Sequence, residues 1–274
     1  MDMFTPGYPS KVYADGKMLA SKADGVGIVT FNQPEKRNAM SVGMWTGMAE
    51  ILSEFQEDSS VRSVILTGAG EKAFVSGADI SQFEKLRNSA ESMAEYERLT
   101  GVGRDKLAKF PKPVIARIRG FCMGGGLAIA MRADIRIGTE DSLYGIPAAR
   151  LSIAYGFDQV GRLVDLVGPA HASMILFTAR RLPAAYAERI GLINEMVTAE
   201  KLDETVLNIA QTIADNAPLS IVASKLAIEA NLQDPDKRDM AAIRRQAQIC
   251  ADSADFREGR TAFMEKRSPV FVGR

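Results

Sequence analysis

Short β-branched runs, closed by polar or glycine-containing turns and separated by helical segments, constrain this chain more than any other feature. Val26-Gly27-Ile28-Val29-Thr30-Phe31 is strand-like, and Pro34 stops the ladder in the polar turn that follows. From Ser41 the apolar spacing turns helical: Met44, Met48, Ile51, Leu52 and Phe55 fall on one stripe. Val64-Ile65-Leu66-Thr67 is a short buried strand closed by Gly68-Ala69-Gly70. Residues 80–110 are polar and helix-prone, with Phe83, Leu86, Met93 and Tyr96 as apolar contacts. Val114-Ile115-Ala116-Arg117-Ile118 is the next strand, followed by Gly120, the triplet Gly124-Gly125-Gly126, a small-residue helix over 127–131 and a strand at 135–137. Strand–helix units in series predict an α/β layout with a mostly parallel sheet.

Beyond about residue 157 helical periodicity dominates, over 202–214, 220–230, 240–251 and 254–266. No long Ser/Pro linker divides the chain. The expected organisation is a loosely packed lead-in over 1–24, a core over 25–200 and a helical C-terminal segment over 201–274, packed on the core or on a neighbouring subunit. Lys plus Arg and Asp plus Glu both number 34, so the zero net charge gives no electrostatic case for nucleic acid or an anionic membrane surface. No uninterrupted apolar run approaches the roughly 20 residues that span a bilayer, and the first residues lack the basic and apolar segments of a secretion signal. Two cysteines, Cys122 and Cys250, make no disulfide framework and fit a reducing cytoplasm, where the protein is expected to reside. The single histidine, His171, excludes a histidine-built metal site and reads as structural, after Pro169-Ala170 at a helix start. No metal is expected.

Three glycine turns follow predicted strands. Gly68-Ala69-Gly70-Glu71-Lys72-Ala73 fits the loose dinucleotide fingerprint, but Phe74-Val75-Ser76-Gly77 follows where a helix would have to open for the pyrophosphate. The P-loop pattern is absent. The second turn, Ser76-Gly77-Ala78-Asp79-Ile80, precedes a helical stretch, and the third, Gly124-Gly125-Gly126, opens a helix. Backbone N–H groups at a helix start lack internal partners and sit at the positive dipole end. Two such turns on different strands can aim two donors at one carbonyl oxygen, each worth roughly 3 kcal/mol to a developing oxyanion. The alternative is that these glycines only permit tight strand-to-helix packing.

On these residues the chain resembles the crotonase (enoyl-CoA hydratase/isomerase) superfamily. Phe31-Asn32-Gln33-Pro34-Glu35-Lys36-Arg37-Asn38-Ala39-Met40 is similar to its opening motif, and Ala73-Phe74-Val75-Ser76-Gly77-Ala78-Asp79-Ile80 to its CoA loop. Lys112-Pro113-Val114-Ile115-Ala116 with Gly120-Phe121-Cys122-Met123-Gly124-Gly125-Gly126 resembles the third, and residues 255–267 the last helix. The resemblance implies a spiral of ββα units, assembled as trimers or pairs of trimers, acting on acyl-CoA thioesters with no cofactor beyond the coenzyme A of the substrate. It implies an oxyanion hole at the N–H groups of Ala78 and Gly125. It places Lys36, Ala39, Ala78, Asp79, Ile80 and Ser81 along CoA, with Phe263 and Lys266 reaching the CoA of an adjacent subunit.

The resemblance also exposes departures. Hydratases of the family carry one glutamate two residues after the glycine triplet and another after a Gly-x-Pro, and these positions are Ala128 and Ala148 here. The acid that an isomerase or dehalogenase carries falls at Gly156. A general acid or base contributes about 10²–10⁴-fold, so ordinary hydration is not expected. Tyr155, Asp158 and Arg150 remain near the expected carbonyl. Tyr155 and Leu163 match a spacing of the decarboxylating branch, although Ala78 stands where that branch has its histidine. Three readings follow: an enzyme on a non-standard acyl-CoA using Tyr155, Asp158 or both, either a lyase or isomerase (decarboxylation or double-bond shift) or one that hydrolyses the thioester; a hydratase whose acid–base group lies elsewhere, such as Glu84; and a non-catalytic acyl-CoA binder.

Overall fold

The computed structural model describes residues 3–4, 7–79 and 90–274. The chain opens with a hairpin of β1 (Lys11–Tyr13) and β2 (Met18–Ala23), and β2 pairs antiparallel with β3 (Val26–Phe31). The expectation of a loosely packed lead-in over 1–24 is therefore corrected: Tyr13, Met18 and Ala20 are buried in the main core. The hairpin escaped notice because its strands are short and mixed in polarity, and because its turn uses Ala14 and Asp15, rather than glycine alone, at positive φ.

Helix α1 (Val42–Glu57) begins at Ser41, whose side chain accepts from the Met44 N–H. The five residues of its predicted stripe are all buried. Three ββ pairs follow, and in each the first strand enters one sheet and the second another. They are β4 (Ser63–Gly68) with β5 (Ala73–Val75), β6 (Val114–Ile118) with β7 (Phe121–Met123), and β8 (Ile135–Thr139) with β9 (Leu143–Gly145). Helix α2 (Ala90–Ala108) precedes the second pair, α3 (Gly125–Arg132) closes it, and α4 (Phe157–Thr178) follows the third. Beyond lie β10 (Leu182–Pro183), α5 (Ala184–Arg189) and β11 (Glu195–Val197). Four helices end the chain: α6 (Leu202–Asp215), α7 (Pro218–Asn231), α8 (Met240–Asp252) and α9 (Ala254–Glu265).

The larger sheet has the order β1-β2-β3-β4-β6-β8-β11 and the smaller β10-β9-β7-β5. From β3 to β11 the larger sheet is parallel. One of its faces, with Val29, Phe31, Val64, Leu66, Val114 and Ala116, meets α1 and the smaller sheet in the principal core. The other face, with Ile28, Ile65, Ile115 and Ile137, is covered by Leu202, Val206 and Ala210 of α6. Burial on both faces is why these strands read as continuous apolar runs instead of alternating.

The sheet thus recruits α6, the first helix of the expected C-terminal segment, as cover for its second face. Helix α4 alone among the described residues is long and apolar enough to cross a membrane by length and composition. It is interrupted at Gly168 (φ 74°, ψ 164°) before Pro169, and Leu163, Val167, Ala172 and Ile175 are buried against the core.

Candidate active site

Strands β5, β7 and β9 are parallel neighbours in the smaller sheet. Their carboxyl ends therefore point the same way, and the three turns leaving them emerge side by side. After β5 the chain reaches Ala78, after β7 it reaches Gly125, and after β9 it enters the short helix Pro147–Leu151. All three turns line one cavity of about 550 Å³.

Ala78 forms a parallel bridge with Met40. Met40 donates to Gly77 O at 2.8 Å and accepts from Asp79 N at 2.9 Å. Because its two neighbours use the side facing Met40, the N–H of Ala78 points the opposite way, toward α3. Gly125 is the first residue of α3, where no intrahelical acceptor exists. Among the described residues neither N–H has an acceptor. The two groups are adjacent: a Cβ built on Gly125 would lie 3.8 Å from Ala78 N. A side chain there would begin to cover the opening between them. Gly77 (φ 124°) and Gly124 (φ 51°, ψ −115°) adopt backbone that L side chains avoid. Gly126 is held by close approach, since its Cβ would meet Val75 O at 2.0 Å.

Tyr155 is half-buried and its hydroxyl donates to Gly124 O at 3.2 Å, one residue from the Gly125 N–H. Burial drives its phenol far above the ordinary range, so it is a neutral hydrogen-bond donor at physiological pH. Ala128 and Ala148 both line the cavity. Asp158 lines it too, exposed in the first turn of α4. Arg150 is exposed and outside the lining, and Leu163 is fully buried in the core. Burial also drives the Cys122 thiol up, which makes it a buried small residue and not a nucleophile. His171 bonds the Tyr186 hydroxyl at 3.1 Å and contributes nothing to the cavity.

Lys36 and Asp79 are paired at 2.9 Å, and Ala39 is buried beside them. Ile80, Ser81 and Glu84 lie outside the described residues. Phe263 is exposed on α9, Lys266 caps that helix in the left-handed conformation, and neither lines this cavity. Sequence reasoning missed Trp45, Tyr96, Arg104 and Arg132, which also line it. Arg132 was legible in principle, since it lies seven residues past Gly125 on the same helical face.

The family model described as enoyl-CoA hydratase/isomerase matches residues 21–274. The chain belongs to this family. It is 38% identical over 250 residues to the short-chain-enoyl-CoA hydratase of Clostridium acetobutylicum, covering 91% of this chain and 95% of that one. It is 34% identical to the crotonyl-CoA hydratase of Syntrophomonas wolfei, covering 94% and 98%. Among solved structures, an enoyl-CoA hydratase/carnithine racemase from Magnetospirillum magneticum superposes with a TM-score of 0.91 at 34% identity, covering 98% of each chain. The expected fold class, α/β with a crotonase-like spiral of ββα units and a helical C-terminal extension, is thus the observed one.

Proposed function

We propose that this member of the enoyl-CoA hydratase/isomerase family processes an acyl-CoA thioester by stabilising its enolate. The donors are the Ala78 and Gly125 N–H groups, and the enzyme is not a standard hydratase. One observation carries the reading: two acceptor-free backbone donors stand side by side over a cavity whose wall has alanine at 128 and 148. The names of the relatives support the acyl-CoA class. The alanines, which resemble replacements of the family's two glutamates, support a reaction that does not need a carboxylate-activated water.

In this reading the thioester oxygen lies between the two donors, which hold it more strongly as it gains negative charge. The Tyr155 hydroxyl, a neutral group beside the hole, exchanges its long bond to Gly124 O for one to the group that leaves or moves on the acyl carbon and so orients it. That role suits a decarboxylation or a double-bond shift. Asp158, exposed at the start of α4 and lining the cavity, is the candidate base. Lys36 and Asp79 edge the CoA channel, and Phe263 and Lys266 close that of an adjacent subunit in a trimer or a pair of trimers. The exposed apolar side chains of Ile249, Phe256, Phe263 and Met264 support such an assembly.

Acetoacetyl-CoA tests the hole directly, because its enolate absorbs in the near ultraviolet. Two donors of roughly 3 kcal/mol each lower its C–H pKa by about four units on binding, so enolate absorbance appears near neutral pH. Crotonyl-CoA is expected to show no hydration at the rates of an ordinary hydratase. In a panel of malonyl-, β-keto- and enoyl-thioesters, Tyr155→Phe lowers the turnover found by about 10²-fold. Binding of acetoacetyl-CoA without enolate absorbance refutes the oxyanion hole, and rapid crotonyl-CoA hydration refutes the reading of Ala128 and Ala148.

A further inference from the structure

Helix α3 runs from Gly125 to Arg132, and Gly125, Ala128, Ile129 and Arg132 all line the cavity. The spacing i, i+3, i+4, i+7 is one helix face, so Arg132 stands two turns, about 10 Å, along the axis from the Gly125 N–H. Helical side chains lean toward the N-terminus, a direction that lets its guanidinium reach back toward the thioester end. Arg132 is half-buried and makes no hydrogen bond, ion pair or ring contact with any described residue.

Helix capping does not account for it. The Met131 carbonyl accepts from Arg162 Nε at 3.0 Å and the Ala133 carbonyl from Arg136 Nη1 at 2.6 Å, so other arginines serve the end of α3. Arg104, the second arginine of the cavity, is committed to Glu97 at 2.5 Å. Of the other acids among the described lining residues, Asp105 and Asp158 are exposed and unpaired with Arg132. A guanidinium that lines the cavity without a partner among the described residues is a ready receptor for a carboxylate.

We propose that Arg132 binds a carboxylate at the far end of the acyl group, which makes short dicarboxylic acyl-CoA thioesters the substrate class. This deepens the acyl-CoA reading and rests on it. An extended chain advances about 1.2 Å per bond, so an acyl group of about four to six carbons bridges the gap left once the arginine reaches back. A monocarboxylic chain of the same length leaves the guanidinium without its anion.

Glutaryl-CoA and pentanoyl-CoA have acyl chains of equal length and differ in the terminal carboxylate, and both are saturated. Isothermal titration calorimetry of each against the whole protein is expected to show glutaryl-CoA binding about ten- to a hundredfold tighter. Arg132→Met brings the two affinities together, Arg132→Lys keeps part of the preference, and Arg104→Met keeps it. Equal binding of both thioesters by the natural protein overturns the proposal and leaves the acyl-CoA reading standing. So does a preference that survives Arg132→Met, or one that is lost in Arg104→Met instead. If neither thioester nor free CoA binds, the acyl-CoA reading falls and takes this proposal with it.

Discussion

Replacing Gly126 by alanine adds one methyl group where α3 crosses β5. The new Cβ would lie 2.0 Å from Val75 O, 2.7 Å from Val75 C and 2.8 Å from Val75 Cβ. These are atoms of a strand fixed in the sheet, so no side-chain rotation relieves the contact. A Cβ does not approach closer than 3.0 Å, so α3 and β5 must part by about 1 Å at this point. Overpacking of this kind costs about 1–3 kcal/mol of stability.

The same movement carries the adjacent Gly125 N–H away from that of Ala78. A misplacement of about 1 Å in a preorganised site costs about 10²-fold. Gly126→Ala should therefore lower the urea midpoint and also weaken enolate formation from bound acetoacetyl-CoA about a hundredfold. Gly161→Ala is the control: Gly161 lies in α4 with nothing within 4 Å of its Cβ position, and the change should be neutral or stabilising by up to about 1 kcal/mol. A Gly126→Ala protein with natural stability and natural enolate absorbance would refute the claim that close helix–strand approach positions the donors.

Asn38 is fully buried at φ 56°, accepts from Gln33 N and donates to Ala69 O and Ala73 O at 3.0 and 2.8 Å, tying the first turn to the β4–β5 connection. Asn38→Ala should cost about 3 kcal/mol in urea unfolding, and a loss below about 1 kcal/mol would show those bonds to be dispensable. The Asp58 carboxyl is held down at about 2 by hydrogen bonds from Lys22 and Ser60, against 3.8 ordinarily. With the folded value depressed, its contribution is complete above the unfolded value and fades as pH falls toward 2, because the unfolded chain takes up the proton first. Acid titration of unfolding should show a shallower loss between about pH 4 and 2 in Asp58→Asn than in the natural protein, and superimposable slopes would discount this carboxylate.

The legible parts of the sequence were those with a local cause. The α1 stripe from Met44 to Phe55 was readable because one helix face meets one core. The runs Val64–Thr67 and Val114–Ile118 were readable because burial on both faces removes polar alternation. The turns at Ala78 and Gly125 could be singled out because glycine marks a backbone that other residues avoid. By contrast β5, β7, β9 and β10 are two or three residues long and have no periodicity of their own, so the whole smaller sheet stayed hidden.

That sheet is what brings the site together. Ala78 and Gly125 are 47 positions apart, and their donors converge because β5 and β7 happen to be parallel neighbours, a pairing no short window of sequence contains. The same holds in part for Arg132: its place on a helix could be read locally, but that its side chain has no partner among the described residues depends on the fold, in which Arg162, 31 positions along the chain, takes the Met131 carbonyl while the nearby Arg136 takes that of Ala133. Local propensity decides which residues turn, coil or extend. Which turns face one another is decided by long-range strand pairing, whose energy is shared among many residues and written in none of them singly.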